Sequence, residues 1–346
     1  MIHATPASDQ AAVDWIMGVM REKDVPVHIM VFNSLIAQQK NRKDFRKALA
    51  YYNVIIRLAT TTPLKPNAVT YKLLFRLYGY HYKNNHKPNA SRNDQPTGSL
   101  IPPRQLFADM MSLWFSARFH PPASSVPAAR SDQSEADQSL VDITFRSFLY
   151  LDDYAAAIVV LRTTVELGLR ITVRTYFTLL RYMARKVYYE VHVARVKQTV
   201  QPVFAFELMG PFEPREIADD DNAAYEWIME RLLEHNSREA VRGGDGSGVR
   251  VSTEPRRRVP SVAEILEQDG NPTKMRDPVD VFPLISILRR ALQIRASSTE
   301  VPWGDAWRKQ TVTKARYQMV PKGIPLWSWS PAEKEKMKQY KRNEVQ

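Results

Sequence analysis

The feature that most constrains this chain is a short segment that recurs four times with an aromatic residue at the same point. Its copies are MVFNSLI (30–36), VTYKLLF (69–75), ITFRSFL (143–149) and RTYFTLL (174–180). In every copy an apolar residue or threonine precedes the aromatic residue, and leucine or phenylalanine follows three positions later. Residues three apart lie on one side of an α-helix, so each copy predicts a helix with one buried side. The repetition predicts an array of similar helical units, with the aromatic residues in its core.

The intervals between the copies match the length of one helix-turn-helix unit. Phe32 and Tyr71 are 39 residues apart, and Phe145 and Tyr176 are 31 apart. The 74-residue interval between Tyr71 and Phe145 contains two polar inserts, without which roughly 40 residues remain. Units of this length stack into solenoids, in which each unit buries the apolar side of its neighbour.

The other apolar segments also have the spacing of helices. Four of them place their apolar residues on one side: 44–58, 104–119, 222–235 and 280–294. Asp44 precedes the first of these and is a candidate N-cap. Residues 154–167 are apolar nearly all round, which predicts a helix buried between two neighbours. Because no convincing run of alternating strands is present, we expect an all-α fold: an α-solenoid of helix-turn-helix repeats with a helical C-terminal region.

Composition divides the chain into four predicted parts. Residues 1–210 form the solenoid, 211–236 a helical extension, 237–258 a flexible linker, and 259–346 a helical C-terminal region with a basic tail. Within the first part, the segments near 83–102 and 120–139 are rich in Pro, Ser, Asn and Asp and are predicted to be mobile inserts. Such segments bury too little apolar area to offset the entropy of ordering them.

The charge of the chain points to a polyanionic partner. Lys and Arg number 49 against 37 Asp and Glu, which gives a net charge of +12. The absence of cysteine excludes disulfides, a thiol nucleophile, iron–sulfur clusters and cysteine-based zinc sites. Gly-rich phosphate-binding motifs are missing, and the longest apolar run, Tyr154 to Leu161, is too short to span a membrane. We therefore expect no enzyme, no cofactor, no metal site and no membrane span.

The repeats resemble the pentatricopeptide repeat (PPR) family in degenerate form. The closest matches to the family motif are KPNAVTYKLL (65–74), VFNSLI (31–36) and QLFADMM (105–111). The resemblance covers about residues 8–208 and is weaker in the third and fourth units. The related tetratricopeptide repeat has a similar period, but its W-x2-L-G-x2-Y helix is not found here.

The resemblance implies non-catalytic binding of single-stranded RNA, about one base per repeat. In the family, the residue after the aromatic position and the residue that closes the repeat choose the base. Carried over, the first unit offers Asn33 with Asn67, which resembles a pyrimidine reader. The later units offer Lys72 with Val141, Arg146 with Thr172, and Phe177. Lys and Arg suit a phosphate better than a base edge, so these units favour sequence-tolerant binding or a scaffold role.

Basic residues beside the repeats are the expected phosphate contacts. They include Lys43, Arg76 and Arg181. The family also implies a mitochondrial location and a role in RNA stability, processing or translation, although no presequence is visible in this chain. The alternative from another class is a protein-interaction scaffold, for example one associated with the mitochondrial ribosome.

Two further features carry weaker hypotheses. Asp219, Asp220 and Asp221 could hold the metal of a nuclease, but such a run more often marks a helix N-terminus. The C-terminal region holds four tryptophans among basic residues: Trp303, Trp307, Trp327 and Trp329. They predict either a cap over the last repeat or a partner-binding surface.

Overall fold

The computed structural model describes residues 18–19, 22–23, 28–60, 64–85, 101–112, 130–167, 169–197, 201–213, 216–217, 220–242, 259–266, 279–297 and 305–320. Throughout these ranges the regular structure is helical and no β-strand occurs, so the predicted all-α class is confirmed. No helix in the same ranges combines the length and the apolar character needed to cross a membrane.

Twelve helices are defined in this part of the chain and are numbered in chain order. They are α1 (Ile29–Arg42), α2 (Phe45–Leu58), α3 (Ala68–Asn85), α4 (Pro103–Met110), α5 (Arg130–Tyr150), α6 (Tyr154–Glu166), α7 (Val173–Lys197), α8 (Val203–Met209), α9 (Asp221–Arg242), α10 (Val262–Leu266), α11 (Phe282–Ser297) and α12 (Asp305–Met319). The predicted helices 44–58, 222–235 and 280–294 correspond to α2, α9 and α11.

Two connections between helices are built in the same way. Lys43 (φ 62°) follows α1, and Asp152 (φ 54°) lies between α5 and α6; both are left-handed although neither is glycine. The N–H of Asp44 donates to the carbonyl oxygen five residues earlier (2.9 Å), and the N–H of Asp153 does the same (3.0 Å), as in a Schellman turn. The side chains of Asp44 and Asp153 then accept hydrogen bonds from the N–H groups three residues later and cap α2 and α6. The predicted cap at Asp44 is confirmed.

The four aromatic segments lie on α1, α3, α5 and α7, which we call the first helices. These pack against one another in chain order, and α2, α4, α6 and α8 each pack against the first helix that precedes them. The aromatic residues Phe32, Tyr71, Phe145 and Tyr176 are at most 3% exposed and belong to one core cluster. Their predicted role in the core is confirmed.

α3 and α5 approach each other closely at Gly79. A Cβ atom added at Gly79 would lie 3.2 Å from the ring of Tyr150, so a larger residue would require that ring to shift by a few tenths of an ångström. Beside this point the hydroxyl of Ser147 donates to the carbonyl oxygen of Phe75 at 2.7 Å. The half-buried ring of Tyr150 thus lies at the contact between α3 and α5.

α6 is buried on every side. Its residues from Tyr154 to Leu161 are all at most 1% exposed. α5 covers one side of α6, and α11 and α12 from the C-terminal part of the chain cover others. The burial predicted from its apolar sequence is therefore confirmed, and the helices that complete it come from far away in the chain.

α11 and α12 fold back onto the helices of the repeats. α12 packs against α4 and α6, and α11 packs against α6, α8 and α9. Arg104, at the start of α4, joins three elements at one point. Its guanidinium donates to both carboxylate oxygens of Asp153 (2.7 Å each) and to Gln318 Oε1 of α12 (2.6 Å). A two-pronged contact of this kind orients both partners.

Asp152 gathers donors from three parts of the chain. Its carboxylate accepts hydrogen bonds from Tyr154 (2.8 Å), Lys186 (2.6 Å) and Tyr182, and its carbonyl oxygen accepts one from Arg295 of α11. Burial acts to raise the pKa of Asp152, but Lys186 and the two hydroxyls outweigh burial and lower that pKa. A lowered pKa means that the ionised carboxylate stabilises the fold at neutral pH, and that acidification removes this contribution.

Several predicted segments lie partly or wholly outside the described residues. They are most of 8–22, residues 86–100 of the insert 83–102, residues 113–119 of the predicted helix 104–119, residues 120–129 of the insert 120–139, residues 243–258 of the linker 237–258, the side chains of Trp303, Trp307, Trp327 and Trp329, and the tail 331–346. α5 begins at Arg130, inside the segment 120–139 expected to be an irregular insert. The Gln, Glu and Ala residues of 130–139 are good helix formers, although the segment lacks the apolar side from which a helix is predicted.

Replacing Ile158 by Ala should destabilise the protein by about 2–5 kcal/mol, because it leaves a cavity in a fully buried part of α6. Val165→Ala is the matched control on the same helix, where Val165 is 37% exposed; it should cost less than about 1 kcal/mol. Urea denaturation followed by circular dichroism measures both. Equal losses for the two variants would contradict the packing of α6.

Asp152→Asn should lower the free energy of unfolding by about 1–2 kcal/mol near pH 7, because hydrogen bonds to a charged group are lost. The difference from wild type should shrink as the pH falls below about 4, where the wild-type carboxyl also becomes protonated. Lys47→Met breaks the exposed 3.6 Å ion pair with Asp44 and serves as control; it should change little. A difference that stays constant from pH 7 to pH 3 would exclude the ionised Asp152 as its source.

Candidate nucleic-acid interface

The two asparagines predicted to read a base meet where α1 and α3 come together. Asn33 Nδ2 donates to Asn67 Oδ1 at 3.1 Å. The hydroxyl of Thr70 donates to Asn33 Oδ1 at 2.7 Å, and the Thr70 N–H donates to Asn67 Oδ1 at 3.1 Å. Asn67 also caps the start of α3, since its own N–H donates to the Thr70 hydroxyl at 3.1 Å. The three side chains form one polar junction between two successive units.

The junction leaves one amide available to a ligand. Asn33 is only 8% exposed, and its oxygen and one amide hydrogen are used within the protein. Asn67 is half-buried, and its Nδ2 makes no hydrogen bond to any residue that the structure describes. A base at this point would therefore meet the Asn67 amide first, with Asn33 orienting it from behind.

A second polar junction lies between α5 and α7. The hydroxyl of Thr175 donates to Asp142 Oδ1 at 3.4 Å, and Gln138 Nε2 donates to the same oxygen at 3.4 Å. Thr172 starts α7 as Asn67 starts α3, with its N–H 3.4 Å from the Thr175 hydroxyl. Burial raises the pKa of Asp142, against the opposing effects of Arg174 and of these hydrogen bonds.

The two junctions differ by one helical turn. Thr70 and Thr175 occupy the same place in their segments, directly before the aromatic residue. Thr70 contacts the residue after Phe32, whereas Thr175 contacts the residue three positions before Phe145. Four residues of helix correspond to about 6 Å along the axis, so successive units do not meet in identical register.

Cations paired with aromatic rings recur along the exposed side of the first helices. Lys43 Nζ lies 5.4 Å from the ring centre of Tyr80, the Arg146 guanidinium 5.3 Å from that of Tyr150, and the Arg181 guanidinium 5.2 Å from that of Phe177. Arg146 Nε also donates to the Tyr150 hydroxyl at 2.9 Å. A hydrogen bond with Tyr80 raises the pKa of Lys43, which keeps this amine charged. The rings hold the cations in place while their charge stays exposed.

Further basic residues extend this cationic side. Arg76, Arg174 and Arg185 are exposed, and Lys72 is half-buried. Among the described side chains of the first helices only Asp142 and Glu190 are acidic. The Glu190 carboxylate accepts the N–H groups of two residues at the start of α8 (3.0 and 2.8 Å) and caps that helix. The sequence of α5 also contains Asp132, Glu135 and Asp137, whose side chains lie outside the described ones.

The acidic run before α9 has a local role. The carboxylate of Asp220 accepts a hydrogen bond from the N–H of Ala223 at 2.8 Å and caps α9, and Asp221 accepts one from Tyr188. Asp219 lies outside the described residues. Within the described part of the chain no three His, Asp or Glu side chains come together as metal ligands would.

Four residues of this surface were not singled out from the sequence: Thr70, Tyr80, Asp142 and Tyr150. The threonine before the aromatic residue was visible in three of the four segments, and its recurrence was the available signal. Arg146 and Tyr150 are four residues apart on one helix, as are Phe177 and Arg181, so a search for i, i+4 cation–ring pairs would have found both. Lys43 and Tyr80 come from different units and gave no such signal.

Neither a protein-family profile nor a curated protein matches the sequence. The family resemblance of the repeats thus rests on the recurrent segments alone.

Thr70→Val should destabilise the protein by about 1–3 kcal/mol, because it leaves Asn33 Oδ1 buried without its donor. The matched control is Thr144→Val, at the equivalent position of α5. Thr144 is equally buried, but its hydroxyl donates only to Leu140 O of its own helix, at 2.9 Å, so the change should cost less than about 1 kcal/mol. Thermal melts of the two variants test the junction, and a larger loss for Thr144→Val would contradict it.

Proposed function

We propose that this protein is a PPR-like α-solenoid that binds single-stranded RNA without catalysis through the exposed side of its first helices. The observation that carries the proposal is the row of cation–ring pairs on α3, α5 and α7. Three separate units place an exposed cation beside a ring, in a layer of helices that pack in chain order. Exposed positive charges on successive units suit the phosphates of a nucleic-acid strand.

The lack of free acidic groups on three of the four first helices supports the same proposal. α1 and α3 contain no Asp or Glu, and on α7 the single glutamate is engaged as a helix cap, whereas α5 carries Asp132, Glu135, Asp137 and Asp142. Charge of one sign along a surface raises the local concentration of a polyanion and speeds its association.

Single-stranded RNA fits this surface better than a duplex. The polar junctions at Asn67 and Asp142 contain an amide and a carboxylate. Only unpaired bases offer their Watson–Crick edges to such groups. From the family resemblance we further propose a mitochondrial role in RNA stability, processing or translation, with the mitochondrial ribosome as a candidate partner.

The double variant Arg146→Ala/Arg181→Ala should weaken binding of labelled single-stranded RNA about tenfold or more at low salt. It should also reduce the slope of log affinity against log salt by about 1.4, or 0.7 for each lost phosphate contact. The matched control is Arg46→Ala/Arg57→Ala, which removes two exposed cations from α2. Fluorescence anisotropy across a salt series, with a duplex of the same sequence for comparison, measures all of these effects.

Equal losses of RNA affinity in the two double variants would mean that binding reflects only the general attraction of RNA to a basic protein. No binding of single-stranded RNA at low salt would overturn the proposal.

A protein-interaction scaffold is the second candidate, and one observation favours it. The first helices also expose apolar side chains: Met30 (67% exposed), Val69 (50%), Tyr189 (67%) and Val196 (71%). A contiguous patch of exposed apolar groups on a folded surface marks a protein contact, and the proposal requires that these side chains form one. Such a contact would tolerate high salt and would be insensitive to the Arg146→Ala/Arg181→Ala change.

A further inference from the structure

We infer that a small cavity between the end of α8 and the middle of α9 binds a phosphate-sized oxyanion. The cavity has a volume of about 70 Å³ and opens to solvent. Its walls are Met209, Gly210, Pro211, Arg231, Glu234 and His235. The inference does not depend on RNA binding, because none of these residues belongs to the surface proposed to bind RNA.

Arg231 brings a positive charge without a counter-charge to this cavity. Its Nη2 donates to the carbonyl oxygen of Pro211 at 3.1 Å, and it forms no ion pair with any residue that the structure describes. Its Nε is buried and has no hydrogen-bond partner in the same part of the chain. A buried donor without an acceptor costs free energy, the more so on a charged group, and native proteins fill such positions with water or an ion.

A phosphate-sized anion fits this position better than water alone. Water offers an acceptor to Nε but no negative charge, whereas the half-buried guanidinium of Arg231 needs both. The planar guanidinium can donate to two oxygens of one phosphate or sulfate at once. The cavity is also larger than the roughly 30 Å³ that one water molecule occupies in the liquid.

His235 stands beside Arg231 on the wall formed by α9. The two residues are four apart and therefore lie on the same side of the helix. The His235 ring packs directly against Gly210, where φ is 80° and an added Cβ would lie 3.0 Å from His235 Cε1. Glycine at this position thus provides both the backbone conformation and the space for the ring. The imidazole adds positive charge to the cavity when it is protonated.

The walls of the cavity are held in place by packing on both sides. Asn236 is fully buried, and its amide donates to Leu208 O of α8 (3.3 Å) and to Leu232 O of α9 (2.8 Å). Directly after the cavity, the ring of Phe212 packs against the rings of Phe206 (4.8 Å between centres) and Trp227 (5.7 Å). A site fixed in this way needs little reorganisation to accept a ligand.

Glu234 is the one wall residue whose charge opposes an anion. It is exposed, so water and salt screen its carboxylate more than they screen the buried Nε of Arg231. Removing the charge of Glu234 should therefore strengthen anion binding. The proposal is thus tested by a gain of affinity as well as by a loss.

The test measures binding of inorganic phosphate to the full chain by a ³¹P NMR titration at constant ionic strength, with sodium chloride as the balancing salt. Wild type should bind phosphate with a Kd of about 1 mM or tighter. Arg231→Gln removes the charge but keeps a polar side chain, and it should weaken binding about tenfold, as expected for the loss of a hydrogen bond between charged groups. Glu234→Gln should tighten binding about twofold or more.

Two matched controls make the same changes outside the cavity. Arg195→Gln alters another half-buried arginine whose Nη2 donates to a backbone carbonyl oxygen, that of Ile217 at 2.6 Å. Glu226→Gln removes an exposed carboxylate from α9 two turns before Glu234. Both variants should leave the Kd of phosphate unchanged. Circular dichroism melts show whether each variant is folded, and if Arg231→Gln is not, the gain expected for Glu234→Gln decides the test.

A second titration identifies the source of the phosphate group. Uridine 5′-monophosphate carries the same group on a larger molecule. Binding as tight as that of inorganic phosphate would support a phosphate monoester whose remainder lies outside the cavity. Binding about tenfold weaker or worse would support the free anion as the ligand.

Three results would overturn the inference. The first is the absence of saturable binding at about 10 mM phosphate. The second is an equal loss in Arg231→Gln and Arg195→Gln, which would reduce the binding to attraction by a basic protein. The third is weaker binding in a folded Glu234→Gln variant, since a site for an anion cannot depend on a carboxylate.

Discussion

An α-helix that is apolar on every side cannot rest on the surface of a protein, and α6 imposes this constraint on the whole molecule. Its buried residues run from Tyr154 to Leu161 without a polar side. In a plain array of helical hairpins the second helix of a unit has neighbours on some sides and solvent on another. The chain meets the requirement of α6 by bringing α11 and α12 back over it. The C-terminal helices are therefore part of the core of the repeats.

The polar contacts around α6 depend on the same arrangement. Asp152 and Asp153 form the turn that leads into α6, and each binds a residue of the C-terminal helices or of a neighbouring unit. Arg104 holds Asp153 against α12, and Arg295 of α11 donates to the carbonyl oxygen of Asp152. The turn serves at once as a helix cap and as the attachment point for distant segments. On the first helices, Arg146 and Arg181 are exposed.

What the sequence predicts here follows from local physics. Asp44 caps α2 because a capping aspartate needs only the next turn of its own helix, and Asn33 meets Asn67 because they stand one repeat apart. The sequence predicts that other helices cover α6. It does not predict which helices do so, because an apolar side does not specify its packing partner. Asp142 escaped notice because its contact with Thr175 depends on a one-turn shift between units that no residue pattern records. The start of α5 at Arg130 was hidden in a polar stretch where hydrophobic spacing carries no information.

The return of α11 and α12 also has a mechanical consequence. In repeat proteins each unit contacts only its nearest neighbours, so the end units can unfold separately from the rest. Here α12 is held by helices of the second and third units, and α11 by helices of the third and fourth. Separating any one unit from the others would have to break these long-range contacts as well. We therefore expect the described helices to unfold together rather than one unit at a time.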